Sequence, residues 1–317
     1  MSKLIKSQGP LLALIGLVIL FSVFTESFAS LSNLAAILEA AAIPAIVAIG
    51  LSFILMQASI DLSVEGVASL ANIVLSITVA NSVTATDIGL WAIPLVLAVG
   101  VLVGATSGAV SIYVRMPSLI VTLGMWLTTV GLAALLYPDR LPQILETRIT
   151  SLAIDKQWGL SWIVYLTFVL IIVATLVERN TRFGRMSRAI GENEAVLIMS
   201  GIKVNRHKIA AFALAGACYA LAGILLGARI GVGNTQSGVG LLFPSIAACV
   251  LGGTLLSGGH GGIRQSMIGV LILVSLRNGL IQIGADPLLQ SALEGVVIIA
   301  AVAGSTWHLR RKIRVIK

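Results

Sequence analysis

Three ionisable residues interrupt otherwise apolar stretches: Glu39, Arg277 and Glu294. A charge at the centre of a membrane helix costs ~2.5–3.5 kcal/mol on insertion scales, so each needs a partner, water or a task. At ~1.5 Å per residue, Arg277 and Glu294 each lie ~10 Å below the outer end of the helix that carries them. Two readings stand for them. Adjacent antiparallel helices place them side by side as an intramembrane ion pair, or both face a water-filled pathway. Glu39 lies close enough to the outside to reach water. None of the three forms a relay with another acid or a histidine, as ion-coupled carriers require.

Other reactive residues point to no catalysis. Cys218 and Cys249 fall inside apolar stretches without metal spacing and read as small packing residues. His207, His260 and His308 are isolated from one another and form no ligand cluster. The sequence has no G-x-x-x-x-G-K-[ST] loop, so the chain cannot cradle ATP phosphates by itself. The glycine-rich runs from Gly100 to Gly108 and Gly252 to Gly262 read instead as places where helices approach closely. No cofactor, metal or catalytic residue is implied.

The elements that hold these residues follow from composition. Of 317 residues, 57% are hydrophobic and only 11% charged. A soluble domain is about 25% charged, so a water-soluble enzyme is excluded. Long apolar runs without strand alternation also exclude an outer-membrane barrel. The expected fold is an all-α integral membrane protein. Its uncharged intervals accommodate ten spans of ~20 residues: 9–28, 34–57, 63–83, 89–113, 118–137, 160–178, 208–230, 242–257, 265–284 and 287–305. Residues 1–317 thus read as one transmembrane domain.

With the N-terminus inside, sixteen Lys and Arg residues lie on inner segments and four (Arg140, Arg148, Lys156 and Arg229) on outer ones, with Arg277 inside a span. That bias follows the positive-inside rule and puts both termini in the cytosol. It also accounts for the net charge of +8. The basic residues face anionic lipid at the inner leaflet, and nucleic acid is not the expected partner. The first apolar stretch is too long for a signal-peptide core and reads as a membrane helix.

The inner segment of about 179–207 changes character along its length. Four arginines come first (Arg179, Arg182, Arg185 and Arg188). Asn193 can then cap a helix with Glu194 in its first turn, and Gly201 suits the C′ position. The result is a helix of about two turns, too short to be stable alone and apolar for a cytosolic loop. It either lies on lipid or docks a soluble partner that supplies the missing ATP site.

Four stretches resemble the permeases of ATP-binding cassette sugar importers of the ribose, xylose, arabinose and galactoside type. Ile60-Asp61-Leu62-Ser63-Val64 resembles G-G-I-D-L-S-V-G, and Pro117-Ser118-Leu119-Ile120-Val121-Thr122-Leu123-Gly124 resembles P-x-x-[IV]-x-T-L-G. Thr181-Arg182-Phe183-Gly184 with Ala189-Ile190-Gly191-Glu192-Asn193-Glu194-Ala195 and Ser200-Gly201-Ile202 is similar to T-x-F-G…A-I-G-G-N-x-x-A-A…S-G-I. Ile246 to Thr254, with Ser257-Gly258-Gly259, is similar to I-A-A-V-V-L-G-G-x-x-L-S-G-G.

The resemblance implies a non-catalytic subunit of an ATP-driven importer. Its partners would be a second permease, identical or paralogous, a cytosolic tandem ATPase and a periplasmic sugar-binding protein. It further implies that Gly191, Glu192, Asn193, Glu194, Ala195, Met199, Ser200 and Gly201 couple to the ATPase. The chain departs from the pattern at Ala58, Ser59, Glu65 and Glu192, which replace glycines. Leu242 and Pro244 stand where acids are common. Glu294 and Arg277 replace a basic residue and an asparagine, a charge exchange in keeping with a pair.

The remaining polar residues have two uses each. Asp61, with Ser63, gates the inner mouth or caps span three. Gln57, Asn72, Asn278 and Gln282 line a sugar path or hydrogen-bond neighbouring helices, and the last two share a face at i, i+4. Trp91, Trp158, Trp162 and Trp307 read as interfacial anchors, and Trp126 as packing. The competing function is an ion-coupled secondary carrier of a small polar solute. An intramembrane enzyme lacks its catalytic pair.

Overall fold

The computed structural model describes residues 2–306, so Trp307, His308 and the basic C-terminal residues lie outside the described residues. The described chain is helical apart from one two-stranded hairpin: α1 (Ser2–Phe24), α2 (Leu31–Met56), α3 (Val64–Thr78), α4 (Ala92–Tyr113), α5 (Ser118–Leu136), α6 (Thr147–Ile154), β1 (Lys156–Gln157), β2 (Leu160–Ser161), α7 (Trp162–Asn180), α8 (Arg182–Met199), α9 (Val204–Ile230), α10 (Leu242–Gly252), α11 (Ile263–Gln282) and α12 (Pro287–Thr306). Six described helices are long and apolar enough to cross a membrane: α2, α4 with its leading turn, α5, α7, α9 and α11.

The centre is built from α2, α3 and α9. The C-terminal half of α2, from Ala45 to Met56, is wholly buried, as is almost all of α3. In contrast α5 exposes Leu127, Leu135 and Leu136 along an outward face, which suits lipid rather than water. Small residues set a close contact between α4 and α9. Gly100 and Gly104 meet Gly216 and Phe212, and a Cβ on Gly104 would stand 2.1 Å from the Phe212 carbonyl oxygen. That agrees with the expectation for the first glycine run. Because the obstacle is backbone, Gly104→Ala should destabilise the purified protein by about 1–3 kcal/mol. Its thermal midpoint in detergent checks this.

Two expected spans are shorter as helices. The stretch 63–83 becomes α3, which stops at Thr78, where the Asn81 side chain folds the chain into a turn by bonding Val79 O, Val83 N and Thr84 N. The stretch 242–257 becomes α10, which stops at Gly252 because Gly253 takes φ 107°. The apolar residues beyond each end are extended or turned. The connections leading into both helices, 57–63 and 231–241, are also non-helical; the first is largely buried, whereas the second buries Gly233 and Gly238 against α3 and exposes Asn234, Gln236, Val239 and Gly240.

Candidate functional site

Helix α8 begins at Thr181, whose hydroxyl accepts from Phe183 N and Gly184 N. It is two helices end to end, because Asn193 has φ −160° and ψ 89°. The second piece has the expected caps. Asn193 Oδ1 accepts from Val196 N at 3.2 Å, and Gly201 sits at φ 77°. Gly201 N donates to Ile198 O and Ile202 N to Leu197 O, the paired bonds of a Schellman ending. The first piece corrects the sequence reading, which leaves the basic run as loop. Residues 182–192 are helical because Gly184, Ser187 and Ile190 are buried on one face against the bundle.

That face reaches the ends of several helices on one side of the bundle. A Cβ on Gly191 would stand 2.0 Å from Met56 O and 2.4 Å from Gly259 N, so α8 rests on the end of α2 and on the loop after α10. Gln57 Nε2 donates to Ser187 Oγ at 3.2 Å, and Ser187 Oγ lies 3.0 Å from His207 Nε2. Glu178 is buried; it pairs with Arg188 and accepts from Ile263 N at 2.9 Å, the first residue of α11. An anion at a helix N-terminus is favourably placed. Beyond the break, Lys208 of α9 pairs with Glu194 at 2.8 Å. Glu192, Asn193, Ala195, Ser200 and Gly201 are exposed, and so are Val196, Ile198 and, at 79%, Met199. The segment is therefore tied to α2, α9 and α11 on one side and bare on the other.

A polar seam runs through the middle of the bundle. Glu65, Ser69, Asn72 and Ser76 form one stripe on α3, and the 231–241 connection lies along it. Asn234 N donates to Asn72 Oδ1 at 2.7 Å, Gly238 N to Ser69 Oγ at 3.0 Å, and Gly240 N and Leu242 N to Glu65 Oε1 at 3.0 and 3.2 Å. Leu242 opens α10, so the Glu65 carboxylate lies between the N-termini of α3 and α10. The stripe supplies acceptors for the N–H groups of this turned connection, and the bonds to Gly238 and Leu242 are buried. On the other side of α3, Ile60 N donates to Ser118 Oγ and Leu62 N to Thr122 Oγ1. The motifs around Asp61 and around Pro117 are thus one structural unit.

Asp61 is fully buried, and its Oδ1 accepts from Ser63 N and Ser63 Oγ at 2.9 and 2.7 Å. It is not the N-cap of α3; Ser63 holds that position without a capping side-chain bond. Asp61 Oδ2 and the Tyr219 hydroxyl are buried and face each other. Gln57 and Asn72 are buried in contacts already described. Asn278 Oδ1 accepts from Gln282 Nε2, and Gln282 Oε1 from Ser27 Oγ.

Near the other end of the bundle, Arg277 Nε and Glu294 Oε1 face each other across 3.9 Å. Glu39 departs from the expectation that it simply reaches water. Its Oε2 accepts from Ser161 Oγ at 2.7 Å, and Arg229 donates to its carbonyl at 2.7 Å. If Arg277 and Glu294 interact, single neutral replacements should lower yield and stability more than the double replacement. A double-mutant cycle on thermal midpoints reads this; additive losses would mean no coupling.

Sequence reasoning missed Glu178, Arg188 and Ser187, which anchor α8. Glu178 reads locally as the charge that ends a span, and nothing nearby signals a partner 85 residues on at Ile263. Glu65 stood out only as a replaced glycine; its position one turn before Ser69 and two before Asn72 was the available clue.

Comparison with known proteins fits this arrangement. Residues 33–302 match the family described as branched-chain amino acid transport system, permease component. The ribose import permease protein RbsC of Escherichia coli K12 is 34% identical over 302 residues, covering 93% of this chain and 92% of its own. RbsC of Bacillus subtilis 168 is 34% identical, covering 93% and 91%. The L-arabinose transport system permease protein AraH of E. coli K12 is 32% identical, covering 96% and 92%. No solved structure gives a significant match. A match over most of its length, to a chain of apolar helices wound around a buried polar seam, makes this protein a multi-pass membrane member of the branched-chain amino acid transport permease family.

Proposed function

We propose that the chain is the non-catalytic membrane subunit of an ATP-driven importer that carries a monosaccharide or similar solute across a bacterial inner membrane. The observation that carries this reading is the second piece of α8. It bares Val196, Ile198 and Met199 while Gly191 and the Glu194–Lys208 pair bind it to the bundle. A bare apolar knob on a rigid base suits docking of a soluble ATPase and transmission of its movement. Relatives named for ribose and arabinose support a sugar as cargo.

In this account ten spans cross the membrane with both termini in the cytosol, and 179–207 faces the ATPase as part of a single domain, 1–317. Coupling runs through Gly191, Glu192, Asn193, Glu194, Ala195, Met199, Ser200 and Gly201. Gln57, Asp61, Ser63 and Asn72 border the central seam and change partners as the bundle opens; Asn278 and Gln282 serve the outer half. A second permease, identical or paralogous, and a periplasmic binding protein complete the importer.

Differential contacts in the two states must drive the change. An ion-coupled carrier would need a relay of acids or histidines. Asp61 and Glu65 instead accept from N–H groups and meet no histidine among the described residues. Gentle-detergent purification should recover a stoichiometric ATPase with the chain. A chain that moves sugar down a proton gradient without one would overturn the proposal.

A further inference from the structure

A cavity of about 320 Å³ opens among α2, α10, α11 and α12. Pockets for small ligands start near ~300 Å³, so this one suits a solute of monosaccharide size. Arg277, Asn278 and Glu294 line it, with Arg229 and Ser245. Ser245 is 1% exposed, and its hydroxyl has no hydrogen-bond partner among the described residues. Other buried hydroxyls of the bundle, at Ser52, Ser107, Thr129 and Thr167, bond back to their own helices. Ser245 does not, although it lies in the first turn of α10. Asn278 accepts from Gln282, and its amino group is likewise without a hydrogen bond among the described residues.

Charge decides the class of ligand. Arg229 lies 3.6 Å from the Glu39 carboxylate and Arg277 3.9 Å from that of Glu294, so each cation already faces an anion. An anionic ligand would compete with both carboxylates. A neutral polyol would not, because each hydroxyl both donates and accepts. It could accept from the guanidinium and the Asn278 amino group and donate to Glu294 and Ser245.

We infer that this cavity is a binding subsite for a neutral polyhydroxylated solute, with Ser245, Arg277, Asn278 and Glu294 as its polar contacts. The inference rests on the import reading and names a place on its route. It assigns the Arg277–Glu294 pair a second use, as a matched acceptor and donor for vicinal hydroxyls.

The test uses the full chain in membranes, with Cys218 and Cys249 changed to alanine and Ile281→Cys, on the cavity wall but not one of its polar contacts, as reporter. A small water-soluble methanethiosulfonate should label the reporter. D-Ribose, L-arabinose or D-galactose should slow labelling, and D-glucuronate should not. Ser245→Ala should raise the half-protecting sugar concentration about fivefold, the loss of one hydrogen bond. If the cysteine-free background fails to insert, the reporter is placed in the native chain and read as labelling above wild type. No labelling, no protection by any neutral sugar, or protection by glucuronate alone overturns the inference. ATP-dependent uptake is measured separately. Uptake without protection sinks the subsite alone, and protection without ATP-coupled uptake sinks the import reading alone.

Discussion

Replacing Glu194 and Ala195 together with arginine should leave the bundle folded and reduce sugar-stimulated ATP hydrolysis to the level of the ATPase alone. Both residues stand just past the break at Asn193, Glu194 turned toward Lys208 of α9 and Ala195 turned outward. Ala195 is exposed. Glu194 makes one pair, with Lys208, 40% exposed on the acid's side and 18% on the lysine's; losing it loosens one tie of the second piece, while Arg188 and Glu178 still hold the first. The change places two cations on the bare face, and one of them opposes Lys208. Size-exclusion behaviour and thermal midpoint should stay near wild type while stimulation disappears. Full stimulation in that variant would remove the second piece of α8 from the coupling route.

Removing Arg188 should do the opposite, damaging the fold itself. Glu178 is almost fully buried, and its carboxylate is shared between Arg188 and the N–H of Ile263. Arg188→Ala leaves that charge with one remaining strong partner, and breaking a buried pair from one side costs ~3–5 kcal/mol. Adding Glu178→Gln should recover much of the loss, because a neutral amide still accepts from Ile263 N and no longer needs a cation. Midpoints in detergent for the two singles and the double read the effect. A double variant less stable than Arg188→Ala would show that the pair is not what the site needs. The comparison also separates anchor from docking face: Arg188 acts through stability, Glu194 and Ala195 through coupling.

How much of this was legible follows from the range of each interaction. The inner segment was readable because its caps are local: Asn193 bonds three residues on, and Gly201 closes the same turn. Charge spacing located the apolar stretches because an uncompensated ion in lipid is costly wherever it falls. Hydropathy could not tell an apolar helix from an apolar extended segment, so α3 and α10 were drawn too long. The Glu65 contact with Leu242 spans 177 positions and depends on two helix N-termini meeting, which no local pattern encodes. Ser69 and Ser245 carry no charge and pass for ordinary helix residues until their neighbours are known. The second glycine run was half legible. Gly252 does set a close approach to α11, but Gly253, Gly258, Gly259, Gly261 and Gly262 serve turns with positive φ.

For an ATPase to reach it, the bare end of α8 must face the cytosol. Met199→Cys, 79% exposed in the wild-type side chain, offers the most direct reading. A membrane-impermeant maleimide should label it in inverted vesicles, and a bound ATPase should shield it. Labelling from outside intact cells would place the segment on the wrong side and contradict the proposal.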